Sequence, residues 1–340
     1  MKIFVTGGTG YIGSHTVVEL QKNGYDVIIA DNLVNSSLEV LDGIEKITGI
    51  RPEFEEIDLT DGEVTRDFFA RHSDIRAVIH FAALKAVGES VSKPLEYYFN
   101  NLNSLMNVLT CMREFKVPNL VFSSSCTVYG QADVLPVTEK TPRHEAESPY
   151  GNTKGMSEDI LRDLMRVEPD MKALALRYFN PIGAHPTAFI GELPNGVPNN
   201  LIPYLTQTAI GIREQLSVFG DDYNTPDGSP LRDYIDVVDL AQAHVVAIRR
   251  LLDGKNKKNY EFFNIGTGKA LSVLEIIHAF ERATGVKVNY KVVGRRAGDI
   301  EKVWADTTLA NNELGWKAVT PIEETLANAW KWQKSLEATN

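Results

Sequence analysis

A tyrosine and a lysine four positions apart are the residues of this sequence best suited to moving a proton. Tyr150 and Lys154 lie in a stretch whose apolar residues recur every three or four positions, which predicts a helix over Tyr150–Arg166. Residues four apart share a helix face, so the Lys154 ammonium would stand near the phenol. A phenol with a pKa of about 10 is a poor base at neutral pH, and a nearby cation favours its phenolate. The spacing alone also fits an ordinary helical tyrosine beside a surface lysine.

A run of three serines strengthens the catalytic interpretation of Tyr150 and Lys154. Ser123, Ser124 and Ser125 end a predicted strand, and Ser125 stands 25 residues before Tyr150. Open α/β sheets bind their ligands at the carboxyl ends of strands, where Ser125 would hydrogen-bond the reacting hydroxyl of a substrate. Ser125, Tyr150 and Lys154 are therefore the predicted catalytic residues.

Three glycines follow the first predicted strand and open the first predicted helix. Gly7, Gly10 and Gly13 have the spacing Gly-x-x-Gly-x-x-Gly. Glycine allows positive φ and close approach of a pyrophosphate, while the helix amino terminus supplies N–H donors. A tight strand–helix turn without a ligand can show the same spacing.

Two carboxylates near the ends of later strands bear on whether the glycine loop binds a dinucleotide or is only a tight turn. Asp31 closes the second predicted strand, where it would accept hydrogen bonds from the adenosine ribose and repel a ribose phosphate, so it favours NAD. Asp58 follows the third strand, and either an adenine contact or capping of the next helix would account for it. The glycine loop and Asp31 together predict an NAD site.

The elements that must position these residues alternate between short apolar runs and longer amphipathic stretches. This alternation predicts βαβ units and an α/β fold, a Rossmann-type doubly wound parallel sheet. The predicted strands are Ile3–Thr6, Val27–Asp31, Glu53–Ile57, Ala77–Phe81, Asn119–Ser123 and Ala173–Tyr178. The principal predicted helices are Ile12–Asn23, Leu95–Glu114 and Tyr150–Arg166.

A change in composition near residue 180 predicts two domains. Prolines, glycines and asparagines crowd residues 180–200, where no long element can persist. We expect a cofactor domain over 1–180, with a return strand near 260–267, and a smaller α/β domain over 181–340 interleaved with it.

Composition narrows the partners and the compartment. The chain has 340 residues, 43% hydrophobic, and a net charge of −10, which disfavours nucleic acid and anionic membrane surfaces. No signal peptide or membrane-spanning stretch is evident, and the two cysteines fit a reducing compartment. The seven histidines are scattered without ligand spacing, so no metal site is predicted. We expect a cytoplasmic protein.

The glycine loop, Asp31 and the Ser125–Tyr150–Lys154 set resemble the extended short-chain dehydrogenase/reductase family, whose members act on nucleotide sugars with NAD. Further motifs resemble the NAD-dependent epimerase/dehydratase branch of this family, and they are Phe81–Ser90, Tyr97–Asn101, Arg177–Pro186 and Pro198–Leu201. The resemblance implies reversible interconversion of UDP-glucose and UDP-galactose by transient oxidation at sugar carbon 4 with bound NAD. Tyr150 would be the base and later the acid, and Lys154 would also bind the nicotinamide ribose.

The resemblance also implies which residues contact each ligand, and it assigns the UDP-sugar to the smaller domain. The implied NAD contacts are Gly7, Gly10, Tyr11, Ile12, Gly13, Asp31, Asn32, Asn35, Ser36, Asp58, Leu59, Phe81, Ala82, Ala83, Lys85, Asn100, Tyr150, Lys154 and Tyr178. The implied substrate contacts are Lys85, Ser125, Tyr150, Phe179, Asn180, Asn200, Leu201, Ser217, Val218, Phe219, Arg232, Tyr234, Arg296, Asp299 and Val303.

The arginine segments and Val303 of the implied substrate site can also be interpreted from their own chemistry. Forked guanidinium groups suit a diphosphate, although Arg232–Tyr234 and Arg295–Asp299 also fit surface ion pairs. Val303 stands where relatives that favour unacetylated sugars carry tyrosine. Valine leaves room, which predicts activity on UDP-N-acetylglucosamine and UDP-N-acetylgalactosamine as well.

The resemblance further implies a homodimer, joined through Leu95–Glu114 and Tyr150–Arg166 in a four-helix bundle. Two other functions stay open at this stage. A nucleotide-sugar 4,6-dehydratase would need an acidic pair where this chain has Cys126 and Thr127. A non-catalytic NAD-binding regulator could use the same fold, although it would have no use for the Ser125, Tyr150 and Lys154 set.

Overall fold

Seven parallel strands form the large sheet of the computed structural model, which describes residues 1–296 and 300–337. The strands of these residues are β1 (Lys2–Thr6), β2 (Asp26–Asp31), β3 (Glu53–Glu56), β4 (Ile75–His80), β5 (Asn119–Ser125), β6 (Lys172–Tyr178), β7 (Asn180–Ile182), β8 (Leu216–Phe219), β9 (Leu231–Arg232), β10 (Tyr234–Asp236), β11 (Tyr260–Ile265), β12 (Leu271–Ser272), β13 (Tyr290–Val293) and β14 (Lys302–Val303). The large sheet has the order β3-β2-β1-β4-β5-β6-β11. The predicted doubly wound, Rossmann-type fold is confirmed, and the strand expected near 260–267 lies at the edge beside β6.

Helices cover both faces of this sheet. The helices of the described residues are α1 (Tyr11–Lys22), α2 (Glu39–Thr48), α3 (Gly62–Arg71), α4 (Val87–Ser92), α5 (Pro94–Glu114), α6 (Pro149–Val167), α7 (Leu201–Ala209), α8 (Val237–Leu252), α9 (Val273–Thr284) and α10 (Ile322–Glu337). On one face, Val17, Ile44 and Leu240 bring α1, α2 and α8 into the core. On the other, Phe68 and Leu161 do the same for α3 and α6. The central strands consist mainly of apolar residues because both of their faces are buried.

A second, smaller core lies among elements from the later part of the chain. It joins α7, α9 and α10 through buried residues such as Leu205, Phe280 and Leu326. Two short sheets, β10-β7 and β13-β8, and the three-stranded β12-β9-β14 accompany it. The chain does not simply finish one core and begin the other, because α8 and β11 return to the large sheet. No helix of the described residues is long and apolar enough to cross a lipid bilayer.

The strand order of the large sheet determines where ligands can bind. The chain runs from β1 outward to β2 and β3, then returns to β4 on the other side of β1. The crevice outside the carboxyl ends of strands on either side of such a reversal is the usual ligand site of an open α/β sheet. Gly7, Asp31, Phe81, Ser125 and Tyr178 all stand at or just beyond these strand ends.

Candidate active site

The glycine loop after β1 is closely packed against backbone. Gly7 has φ of +66°, and a Cβ built there would lie 2.8 Å from the Ala82 nitrogen. A Cβ on Gly13 would lie 2.3 Å from the Gly7 oxygen. No side chain caps the amino terminus of α1, whose first residue is Tyr11. Side chains are thus kept out of the loop while helix N–H groups face outward, as binding of a pyrophosphate requires.

Asp31 connects this loop to the segment after β2. Its Oδ2 accepts from the Thr9 amide at 3.3 Å, and its Oδ1 accepts from the Leu33 amide at 3.0 Å and the Ser36 hydroxyl at 3.2 Å. A carboxylate can accept about four hydrogen bonds, so these contacts leave capacity for a ribose hydroxyl. Asn32 accepts from a neighbouring amide in the same segment, and Asn35 is exposed.

The structure excludes one of the two roles considered for Asp58, the capping of the helix that follows β3. It accepts hydrogen bonds from the Thr60 amide at 2.9 Å and the Thr60 hydroxyl at 2.8 Å. The cap of α3 is instead Asp61, whose carboxylate accepts from two first-turn amides. Capping of α3 by Asp58 is therefore wrong, and its exposed side chain, beside the buried Leu59, belongs to the turn after β3.

The segment after β4 is held by one asparagine that the sequence interpretation did not single out. Asn101 accepts from the Leu84 amide at 2.8 Å and donates to the Leu84 carbonyl at 3.0 Å. It also donates to Thr153 on α6 at 3.1 Å and accepts from Asn100 at 3.0 Å. Asn101 therefore couples the predicted cofactor segment to the helix that carries the predicted catalytic pair.

The Phe81–Lys85 segment runs from the strand end toward the smaller core. The amides of Phe81 and Ala82 donate to the Thr6 hydroxyl, each at 3.1 Å. Ala83 is half-buried, and Lys85 is exposed with its Nζ 6.0 Å from the Tyr11 ring centroid. The Tyr11 hydroxyl donates to the Gly183 carbonyl at 2.8 Å, and the neighbouring Ile12 packs on the large core.

Tyr150 and Ser125 meet at the amino terminus of α6. This helix begins at Pro149, and the Ser148 hydroxyl caps it by accepting from the Gly151 amide at 3.2 Å. The Tyr150 side chain lies near Ser125 at the end of β5. Burial raises the pKa of Tyr150 to about 12, with a further rise from Cys126 and an opposing effect of the nearby Ser125. Tyr150 therefore needs a neighbouring cation to act as a base at neutral pH.

Lys154 supplies that cation one turn later. Its Nζ lies 5.9 Å from the Tyr150 ring centroid and donates to the Ser123 carbonyl at 2.7 Å. The residue is only 4% exposed. Burial lowers the pKa of Lys154 to about 7, and the Glu158 carboxylate opposes this decrease. The charge of Lys154 is thus sensitive to its surroundings in the physiological pH range.

The three serines of β5 each contact a different group. The Ser123 hydroxyl is hydrogen-bonded to the buried hydroxyl of Tyr178, whose pKa is raised by burial. The Ser124 hydroxyl donates to Glu158 at 2.6 Å, and Ser125 contacts Tyr150. The carboxyl end of β5 therefore connects the predicted base, Lys154 and Tyr178, a predicted NAD contact.

The predicted sugar pocket is lined by apolar side chains. Phe179 and Val303 are both 5% exposed and pack in one cluster with Tyr129. Val303 on β14 pairs with Arg232 on β9, which places a predicted diphosphate ligand beside the pocket wall. Cys126 packs against the same cluster. The wall of the predicted sugar pocket is thus apolar.

Two surface ion-pair interpretations have opposite outcomes. Asp233 is fully buried and accepts from Thr267, Gly268 and Ala305, so it is not part of a surface pair. Arg295 does form an exposed pair, with its Nε 2.7 Å from an Asp222 carboxylate oxygen.

The other predicted uridine diphosphate contacts lie on the smaller core. Asn180 on β7 donates its amide to the Asp233 carbonyl at 3.0 Å, and the buried Tyr234 lies opposite on β10. The Arg296 guanidinium lies 5.4 Å from the Phe219 ring centroid. The remaining predicted contacts are Ser217 and Val218 on β8 and Leu201, the first residue of α7. Asp299 lies outside the described residues.

A carboxylate that the sequence interpretation missed stands between the two sets of ligand residues. Glu192 accepts from the Asn200 side chain at 2.5 Å and lies 3.7 Å from the Lys85 Nζ. Its carbonyl accepts from the Trp332 indole at 3.0 Å. Glu192 thus connects a predicted cofactor residue with a predicted substrate residue. Nothing in its local sequence indicates this, because two of its partners, Lys85 and Trp332, come from distant segments.

The site fits NAD better than a metal centre. The glycine loop, Asp31 and the Phe81–Lys85 segment surround the strand-order reversal, with a tyrosine, a lysine and a serine at its far side. Among residues 1–296 and 300–337, no three His, Cys, Asp or Glu residues are grouped so that they could hold a metal ion. Fold and site define a dinucleotide-dependent enzyme of the Rossmann class.

Comparison with known proteins identifies the family. Residues 3–266 match the model of the NAD dependent epimerase/dehydratase family, and the chain belongs to that family. It is 51% identical over 335 residues to the UDP-glucose 4-epimerase of Bacillus subtilis, covering 98% of this chain and 97% of that protein. The predicted resemblance and the NAD cofactor are thereby confirmed.

Solved structures agree. A UDP-glucose 4-epimerase from Stenotrophomonas maltophila, with bound NAD and formylated UDP-arabinopyranose, superposes with a TM-score of 0.96 at 46% identity over 100% of both chains. The enzyme from Bifidobacterium longum, in complex with NAD⁺ and UDP, gives a TM-score of 0.94 at 46% identity over 98% of both chains.

Proposed function

We propose that this enzyme inverts the configuration at carbon 4 of UDP-hexoses and so interconverts UDP-glucose and UDP-galactose. The observation that carries the proposal is the neighbouring Ser125 and Tyr150 with Lys154 one turn away, at the carboxyl edge of an NAD-type sheet. Relatives of about half-identical sequence over nearly the full chain bear the same activity in their names.

Tyr150 moves the proton of the reaction in this proposal. Ser125 hydrogen-bonds the hydroxyl at carbon 4, and the Tyr150 phenolate removes its proton while the ammonium of Lys154 stabilises the negative charge. NAD bound across the glycine loop and Asp31 accepts the hydride from carbon 4 and later returns it. Tyr150 then gives the proton back to the oxygen at carbon 4. Because the hydride also returns to carbon 4, the reaction has no net oxidation.

Inversion requires the keto-sugar to present both of its faces, which demands unequal binding along the substrate. Asn180, Asn200, Arg232 and Arg296 would hold uridine diphosphate with polar and charged groups. The pocket around Phe179 and Val303 offers apolar contacts instead. Firm binding remote from a loosely held sugar permits rotation without loss of the intermediate.

Cys126 and Thr127 disfavour dehydration. They form the turn directly after Ser125, where the elimination would need an acid. Burial raises the pKa of the Cys126 thiol to about 12, so it is a neutral group at physiological pH.

The assay that tests the function uses purified protein without added cofactor. We expect nicotinamide to copurify and UDP-galactose to be converted to UDP-glucose, as followed by separation of the two sugars. Bound nicotinamide without turnover of either sugar would instead support a non-catalytic regulator.

Acetylated sugars should also be substrates, because Val303 leaves space at the pocket wall. The variant Val303→Tyr should lower kcat/KM for UDP-N-acetylglucosamine by about 10- to 100-fold through loss of that space, with a smaller effect on UDP-glucose. Val303→Ile, which adds one methylene, is the matched control. Equal effects of the tyrosine on both sugars would argue against this role for Val303.

A homodimer completes the proposal. Leu95 and Phe99 on α5 are 80% and 62% exposed, and Met156 on α6 adds to the apolar surface. Such a patch on adjacent helices suits pairing with the same two helices of a second chain. Phe99→Glu should therefore give monomers in sedimentation velocity, whereas Phe189→Glu, an exposed phenylalanine elsewhere, should leave the dimer intact. A Phe99→Glu protein that stays dimeric would rule out this interface.

We also infer a reducing, cytoplasmic location. Cys111 and Cys126 are both free, and burial raises the pKa of the Cys111 thiol to about 11. Thiols held in the protonated form are poor nucleophiles and suit a compartment without disulfides. Cell fractionation tests this location.

A further inference from the structure

Glu158 is a buried carboxylate that the mechanism above does not use. It lies on α6 one turn after Lys154, on the same helix face, and its side chain is only 3% exposed. Its two oxygens accept from the Arg177 guanidinium at 2.8 and 2.5 Å, and one of them also accepts from Ser124 at 2.6 Å. The carboxylate is thus fixed in one orientation behind the catalytic lysine.

We propose that Glu158 is a positioning residue of the active site, which keeps Lys154 positively charged and fixes its position relative to the end of β5. The proposal rests on the function proposed above. It follows from a line of three groups at four-residue spacing on α6, Tyr150, Lys154 and Glu158, all held against the serines of β5.

The surroundings of Lys154 leave Glu158 as the carboxylate that acts on it. From its own helix Lys154 faces Tyr150 and Glu158, and from β4 it faces His80. Burial and the nearby Lys154 lower the pKa of His80 to about 3, so this imidazole is neutral at physiological pH. The other contacts of the Lys154 ammonium are the Ser123 carbonyl and the ring of Phe122.

Glu158 itself is surrounded mainly by cations. Besides Arg177, a guanidinium nitrogen of Arg143 lies 3.8 Å from a Glu158 carboxylate oxygen. The buried hydroxyl of Tyr260 on β11 is also nearby, because burial and the Glu158 charge raise the pKa of Tyr260. An alternative role for Glu158, as a partner of Arg177 that only stabilises the fold, makes no prediction about the charge of Lys154.

The test separates these roles by removing the charge without leaving an unpaired ion. Glu158→Gln alone would strand the buried Arg177, which is strongly destabilising. The double variant E158Q/R177Q replaces the pair with two amides. Loss of the arginine cation can only favour a charged Lys154, so any decrease in the Lys154 pKa must come from loss of the carboxylate. Ser124→Ala, which keeps the ion pair, is the matched control.

The readout is the titration of Lys154, followed by NMR of protein carrying ¹³C at lysine Cε, with the signal assigned from Lys154→Arg. We expect the Lys154 pKa to fall by about one unit in E158Q/R177Q and to stay unchanged in Ser124→Ala. The alkaline limb of the kcat profile should move to lower pH by the same amount. A folded double variant with an unchanged Lys154 pKa would overturn the proposal. Because this titration needs no turnover, a wild-type protein inactive on UDP-sugars would refute the proposed function separately.

Discussion

Tyr150→Phe should lower kcat for UDP-galactose by about 10²- to 10⁴-fold, the usual contribution of a general acid–base group. The phenyl ring preserves the shape of the side chain but removes the hydroxyl that contacts Ser125. Steady-state kinetics with the purified variant measure the effect.

The control for this experiment is a tyrosine outside the site. Tyr98 on α5 accepts a hydrogen bond from Asn152 at 2.7 Å, and it lies close in sequence and space to the same helix pair. Tyr98→Phe should retain turnover near the wild-type rate. The UDP dissociation constant of Tyr150→Phe should also stay close to wild type, because Tyr150 acts on the sugar end. Unchanged kcat in Tyr150→Phe would show that another group is the base.

The parts of this site that the sequence predicted depend on local spacing. The glycine loop, the helical pair Tyr150 and Lys154, and the serines at a strand end each lie within a single element and its flanking turn. The period of the apolar residues was enough to predict which of these segments are strands and which are helices. The predictions therefore needed no knowledge of which distant segments meet.

The parts that were missed depend on contacts between distant segments. Asn101 couples the loop after β4 to α6, and Glu192 joins residues of both ligand sets. Asp233 has the same character, since its partners lie more than 30 residues away. Glu158 is different, because a charge four residues after Lys154 was visible in the sequence. Its burial was not, since that depends on Arg177 arriving from β6.

The acidic net charge of the chain also has to be reconciled with anionic ligands. A field from a net charge of −10 opposes dinucleotides and UDP-sugars as it opposes nucleic acid. Local groups must outweigh it: the amino terminus of α1, Lys85, and the arginines Arg232 and Arg296. Because most of these act at short range, we attribute binding to them rather than to long-range steering.

Lys154→Met should also lower kcat strongly, and it tests the electrostatic part of the mechanism. At about 6 Å and an effective dielectric constant of about 20, a cation stabilises an anion by about 3 kcal/mol. That energy corresponds to about two units in the pKa of Tyr150. Methionine fills similar space without charge, so we expect kcat at neutral pH to fall by about 10²-fold, with the acidic limb of the kcat profile shifted to higher pH.

The direction of that shift distinguishes the roles of the ammonium. A cation favours the phenolate, so its removal raises the pKa of Tyr150, and the variant should recover part of its activity as pH rises. If Lys154 only anchored the nicotinamide ribose, kcat would fall by the same factor at every pH while NAD was lost from the protein. Lys255→Met, at an exposed lysine that pairs with Asp253, should change neither the rate nor the profile. The proton chemistry assigned to Tyr150 therefore depends on a charge whose own pKa, about 7, is set by burial against the pull of Glu158.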